Sequence, residues 1–261
     1  MRGVRNSAGW RGGIWLAIGL VLLVLYLPLV PPLFFSFVPE ASGGASFTLR
    51  WYGEMWQNPL LTGAMLTSLM AGLIVAAVTP VLALAAAMAI RELKAARLIL
   101  LVMLLPLFIP GVSMGLATAF FFRITGIAPS LLTIAIVQIL WALPFATLVL
   151  LTAMSVFDPV YSEAAYMSGA NRWRAFRDIE LPLIWPGITG AATFSLILSF
   201  NETIRTSVVQ GPLNTVQTYI WSTYKQVGLS PTLYALMTLL IILTLALVAA
   251  FLVSSRGKTA S

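Results

Sequence analysis

The chain has 261 residues, of which 60% are apolar and only 9% charged, and it carries a net charge of +7. A water-soluble protein of this length clothes its surface in charge, so the composition excludes a soluble domain and points to an exterior solvated by lipid. Cysteine and histidine are both absent, which removes disulfides, thiolate nucleophiles, the commonest general base and the commonest metal ligand, and leaves an intramembrane enzyme little to work with.

About 20 mostly apolar residues are needed to cross a hydrocarbon core, and six stretches meet that demand: 14–38, 60–90, 98–122, 131–156, 188–209 and 233–253. The predicted fold class is therefore an all-α membrane protein of six transmembrane helices, forming one domain over 1–261. The first stretch contains Pro28, Pro31 and Pro32, which suit a kinked or frayed helix end. Basic residues before it and Ala41-Ser42-Gly43 after it also fit a signal peptide, but the apolar run is too long for one. Pro106 and Pro110 in the third stretch and Pro144 in the fourth can free backbone carbonyls, or neighbours can satisfy them again.

The fifth stretch is the least apolar, with Asn201, Glu202, Thr203, Arg205, Thr206 and Ser207 inside it. An ionisable group at membrane depth costs about 2.5 to 3.5 kcal/mol on insertion scales and usually faces a cavity or a partner. Asn201, Glu202 and Arg205 are thus candidates for a solute pathway. Glu202 and Arg205 also stand three residues apart, a spacing that lets them neutralise each other on one helical face.

Basic residues stay on the cytoplasmic side of short loops. With the N-terminus inside, that side holds Arg2, Arg5, Arg11, Arg91, Lys94, Arg97, Arg172, Arg174, Arg177, Arg256 and Lys258, against Arg50, Arg123, Arg205 and Lys225 outside. Both termini are expected in the cytoplasm. The basic residues are scattered among short loops with no stripe, which argues for a membrane and against nucleic acid. Trp51, Tyr52, Trp56, Trp221 and Tyr224 flank the spans as interfacial aromatics do, or as packed loop residues do.

The longest loop on the basic side, 158–186, has a legible local structure. Asp158 can cap a helix opened by Pro159 and running to Ser168. Gly169 can end it in the left-handed conformation, and Asn171 can cap the next. In that second helix Trp173, Phe176 and Ile179 share a face, Arg174 and Asp178 pair one turn apart, and Leu181-Pro182 with Pro186 stop it before the next span.

Glu163-Ala164-Ala165, then Gly169-Ala170, then Ile179 and Leu181-Pro182 resemble the EAA loop of permease subunits of binding-protein-dependent ABC importers. The resemblance covers nearly the whole chain and implies a type I permease fold whose loop is a coupling helix seated in a cytoplasmic ATPase. Glu163, Ala164, Ala165, Gly169, Ala170, Trp173, Ile179, Leu181 and Pro182 would carry that contact. Ser199-Phe200-Asn201-Glu202, with Gly211-Pro212 and Thr218-Tyr219-Ile220-Trp221, is most similar to the second permease subunit of spermidine/putrescine importers. Asn201-Glu202 stands where Asp-Glu is expected there.

The resemblance further implies a bacterial inner-membrane location, two ATPase subunits, a homologous second permease and a periplasmic solute-binding protein, with lipid around them. This chain would bind no cofactor, ATP and Mg belonging to the ATPase. Consistent with that, no Gly-x-x-x-x-Gly-Lys-Ser/Thr phosphate loop occurs. The competing reading of the spans alone is a stand-alone secondary transporter or channel.

Overall fold

A computed structural model describes residues 8–39, 47–93 and 96–256. Arg2, Arg5, Lys94 and Lys258 of the orientation argument, and Ala41 to Gly43 of the signal-peptide alternative, lie outside these residues. The chain divides into two compact units, Met1–Gln57 with Val227–Leu243, and Asn58–Gln226 with Thr244–Ser261.

The first unit opens with α1 (Ala8–Tyr26), which passes through a 3-10 turn at Leu27–Leu29 into α2 (Val30–Phe35). Pro28 and Pro31 occupy the first turns of these short segments, where a missing N–H leaves no bond unmade. Beyond them Trp51 Nε1, on α3 (Arg50–Gln57), donates to the Val38 carbonyl at 3.0 Å, and the Tyr52 hydroxyl donates to Ser36 Oγ at 2.9 Å. These two aromatics are packed anchors of α3 rather than of a loop, whereas Trp56 on the same helix is exposed. Thr238, on α13 (Pro231–Arg256), donates to the Pro32 carbonyl within the same unit.

The second unit is built on α4 (Pro59–Glu92), α7 (Leu131–Ser155) and α10 (Leu181–Phe200). Each packs on the other two, around Ala83, Ala87, Ala146, Leu150, Ile184 and Ala191. Small side chains permit the close approach that dispersion attraction rewards when lipid rather than water is the alternative solvent. Asn58 opens α4, its Oδ1 accepting from the N–H groups of Leu60 and Leu61. The predicted second and fourth stretches match α4 and α7 to within about two residues, the ordinary spread of helix ends.

The third predicted stretch is broken. α5 (Ala96–Leu104) runs into a 3-10 turn at Leu105–Phe108, and α6 (Gly111–Ile124) leaves at 102° to that segment. Pro106 and Pro110 sit at the bend, where a proline removes a donor and disfavours helix in the residue before it. The fifth is broken too, with α10 ending at Phe200 and α11 (Ile204–Val209) starting after Asn201–Thr203. The chain then continues through α12 (Val216–Val227).

Four helical segments among the described residues are long and apolar enough to span a membrane: Gly12–Phe35, Pro59–Glu92, Leu131–Ser155 and Arg172–Phe200. A fifth is gained if α5 and α6 count as one, while Pro231–Ala246 is a shorter apolar helix. The fold is an all-α, multi-pass membrane architecture.

Candidate functional site

Two places in the second unit gather the residues singled out in the sequence. The first is the hairpin after α7. Asp158 Oδ1 accepts from the Val160 N–H at 3.0 Å and so leads into α8 (Val160–Met167), whose first turn carries Glu163. Gly169 has φ +84°, with its own N–H on the Tyr166 carbonyl and the next, Ala170, on Ala165, both at 3.0 Å. This pair of bonds answers the last carbonyls of α8 and needs the left-handed residue that glycine supplies. Asn171 Oδ1 then accepts from the Arg174 N–H at 2.9 Å and caps α9 (Arg172–Ala175).

Beyond α9 the backbone widens into a π-turn over Phe176–Glu180 that runs directly into α10. This corrects two expectations. Asp178 pairs with Arg177 at 2.7 Å rather than with Arg174, because a π-turn spends more residues per revolution and shifts the four-residue register. Leu181-Pro182 and Pro186 do not stop the helix. Pro182 falls in the first turn of α10, where proline is tolerated, and Pro186 is carried inside it. The Trp173 and Phe176 rings do meet, at 5.8 Å between centroids.

Ala165 and Ala175 are the buried residues of α8 and α9. Glu163, Ala164 and Gly169 face outward, with Met167 at 89% and Trp173 at 62% exposure. The hairpin is tied to the end of α4 by two ion pairs. Arg172 Nη2 meets Glu92 Oε2 at 2.5 Å, and the Arg91 guanidinium grips Glu180 by both carboxylate oxygens. Glu180 is only 5% exposed, so this forked geometry offsets the desolvation of its charge. Sequence reasoning missed Glu180 and its tie to Arg91, although it lies between the quoted Ile179 and Leu181. A cavity of about 710 Å³ opens between α4 and the hairpin, with Met88, Phe157, Tyr166, Trp173 and Phe176 in its wall.

The second place is the break between α10 and α11. Glu202 and Arg205 are 5% and 8% exposed, and the three-residue spacing does bring them together. Arg205 Nη1 donates to Glu202 Oε2 at 2.7 Å, and the Arg205 backbone N–H donates to Oε1 at 2.8 Å, so the carboxylate also caps the start of α11. The guanidinium carbon lies 3.7 Å from the centre of the Trp141 ring on α7, a cation–π contact strengthened by desolvation. Asn201 is not part of this cluster. Its Nδ2 donates back to the Ile197 carbonyl at 2.8 Å and closes the end of α10.

Beside the pair runs a buried bridge. Ser199 Oγ donates to Gln138 Oε1 at 2.6 Å, and Gln138 Nε2 donates to Thr206 Oγ1 at 3.1 Å, joining α10 and α11 across the break through α7. Gln138 and Trp141 were missed by sequence reasoning. Their signal was a lone amide and a lone indole in an otherwise apolar span. Among the described residues no group of three His, Cys, Asp or Glu could hold a metal ion.

Against known proteins, residues 79–256 match the family of binding-protein-dependent transport system inner membrane components. The spermidine/putrescine transport system permease protein PotC of Escherichia coli K12 is 27% identical, over 95% of each chain. The putrescine transport system permease protein PotI of the same strain is 25% identical, over 83% of this chain and 81% of its own. Among solved structures, a bacterial ABC transporter involved in import of the acidic polysaccharide alginate superposes with a TM-score of 0.68 at 13% identity, over 98% of this chain and 99% of that one. That last likeness is one of fold.

Proposed function

Since the chain belongs to the binding-protein-dependent transport system inner membrane components, we propose that its whole length, 1–261, acts as one six-span permease domain of an ATP-driven importer. Its function is import of a solute delivered by a binding protein. The reading adds a homologous second permease, two ATPase subunits that bind ATP and Mg, a periplasmic binding protein and surrounding inner-membrane lipid. Both termini face the cytoplasm.

The observation that carries it is the hairpin of α8 and α9. A transport protein that works alone has no use for a rigid elbow with Met167 and Trp173 exposed and with its root fixed by Arg91–Glu180 and Arg172–Glu92. On this reading Glu163, Ala164, Gly169 and Trp173 present the coupling surface with half-buried Ala170 beside them, Ala165 packs the elbow from within, and Ile179, Leu181 and Pro182 hand motion to α10. ATP-driven approach of two ATPases would press two such hairpins together and turn the pathway outward.

The solute is small, polar and organic, and the names of the relatives favour a polyamine-like amine. Asn201, Glu202 and Arg205 remain the pathway candidates, at a break of the kind that transporters place at their binding sites. The test is reconstitution with the ATPase, second permease and binding protein that co-purify with it. Glu163→Ala and Gly169→Val should each lower ATP-driven uptake by about tenfold or more while the complex still assembles, a loss of roughly 1.4 kcal/mol or more in coupling. Uptake that persists without ATP would instead establish the stand-alone transporter.

A further inference from the structure

The cavity of about 710 Å³ between α4 and the hairpin is graded along its length. Its α4 wall is one helical stripe, Val81, Leu84, Ala85, Met88, Arg91 and Glu92, which covers about 15 Å of the helix. Two turns of the stripe are apolar and belong to the apolar span Pro59–Glu92, and the last turn is charged. The neighbouring stripe, with Ala83 and Ala87, is spent on the contact with α7 and α10. Val81 and Ala85 are exposed instead. From the hairpin side the wall receives Tyr166 and Phe176, aromatics of the kind that sit where hydrocarbon meets headgroups.

The two ion pairs at the charged end differ. Glu180 is 5% exposed and held by Arg91 through both oxygens, so that pair is closed. The side chains of Arg172 and Glu92 are 77% and 40% exposed. An ion pair so open to water is worth about 1 kcal/mol or less, so both partners are free to turn to a ligand of matching charge. An anion alone would strand Glu92, and a cation alone would strand Arg172. A ligand that brings one charge of each sign strands neither.

We propose that this groove holds one molecule of a zwitterionic membrane phospholipid with a primary amine, phosphatidylethanolamine. An acyl chain lies along Val81, Leu84, Ala85 and Met88, the phosphate meets Arg172, and the ammonium meets Glu92. A carboxylate is answered best by N–H donors, which a quaternary ammonium lacks. The occupant comes from the bilayer that already solvates the span, and it wedges the elbow of α8 and α9 against α4. The inference rests on α4 as a membrane span and holds whether or not the hairpin is a coupling surface.

The test is native mass spectrometry of the assembled importer, stripped of lipid in detergent and titrated separately with dioleoyl phosphatidylethanolamine, phosphatidylcholine and phosphatidylglycerol. Phosphatidylethanolamine should bind about tenfold more tightly than either of the others, the difference expected of a charge-assisted hydrogen bond. Ala85→Phe fills the groove from an exposed position and should abolish that binding. Gly63→Phe adds the same bulk to α4 where nothing lies within 4 Å and should leave it unchanged. Glu92→Gln should lower phosphatidylethanolamine to the level of phosphatidylcholine. If Ala85→Phe does not assemble, Glu92→Gln decides.

Binding that survives Ala85→Phe, or equal binding of all three lipids, would reduce the groove to ordinary lipid solvation and overturn the inference. So would tighter binding of phosphatidylglycerol, which needs no partner for Glu92. Binding to the isolated full chain but not to the assembled importer would show that a protein subunit covers the groove, and would overturn it as well. These readouts need neither ATP nor solute. Uptake surviving in Glu163→Ala counts against ATPase coupling alone, and absent lipid selectivity counts against this inference alone.

Discussion

Gly187 faces Ala153 across the contact of α7 with α10 so closely that a Cβ on it would stand 2.2 Å from the Cβ of the alanine. Neither atom is the end of a flexible side chain, so Gly187→Ala has to part the two helices. A loss of about 2 kcal/mol is expected, the usual scale of overpacking, and a lowered melting temperature in detergent would register it. At Gly169 the space is open but φ is +84°, so Gly169→Ala meets strain and no clash. It should cost about 1 kcal/mol, confined to the hairpin, and hydrogen exchange should show faster opening of 160–175 with the α4–α7–α10 core unchanged. The bonds made at Asp158, Gly169 and Asn171 were readable in advance because each spans only a few residues, although the cap of α8 is Pro159 and the helix opens at Val160 rather than at the proline. The partner of Asp178 was not, because a π-turn is a tertiary accommodation that side-chain spacing does not announce.

At the level of elements, the interruptions carry more meaning than the helices. The α10–α11 break went unread because the run 188–209 stays apolar enough to pass for one span. What interrupts it is the Glu202 carboxylate reaching forward to the Arg205 N–H, an alternative start for a helix. The three-residue spacing foretold that pair. It could not foretell Trp141 or Gln138, which arrive from α7. Among the described residues Gln138 is the one bridge between Ser199 and Thr206. Gln138→Leu should strand two buried hydroxyls and cost about 2 kcal/mol. Thr206→Val in that background should then cost less than it does alone, a non-additivity that a double-mutant melting cycle would measure.

For the whole molecule, hydropathy anticipated the long helices where they are continuous, as in α4 and α7, and missed the breaks where proline or an ion pair divides them. Which side each end faces is a separate matter, resting on the distribution of basic residues. The chain contains no cysteine, so single cysteines can be introduced without a background. Tyr161→Cys should react with a membrane-impermeant maleimide only in inverted vesicles, and Tyr224→Cys only in intact cells or right-side-out vesicles. The opposite pattern would invert the assigned topology. One further property follows from α4, which runs 34 residues, about 50 Å, without interruption. At one end it holds the hairpin through Arg91 and Glu92. Toward the other, Ser68 Oγ accepts from the Val216 N–H at 2.8 Å, and Asn58, the residue that caps the helix, donates to the Tyr219 hydroxyl at 3.1 Å. Pro80 lies between, where one rung of the helix ladder is missing. Were the elbow pulled as the proposed coupling requires, α4 would carry the pull toward α12 like a tiller, and Pro80 is the place where the shaft would flex first.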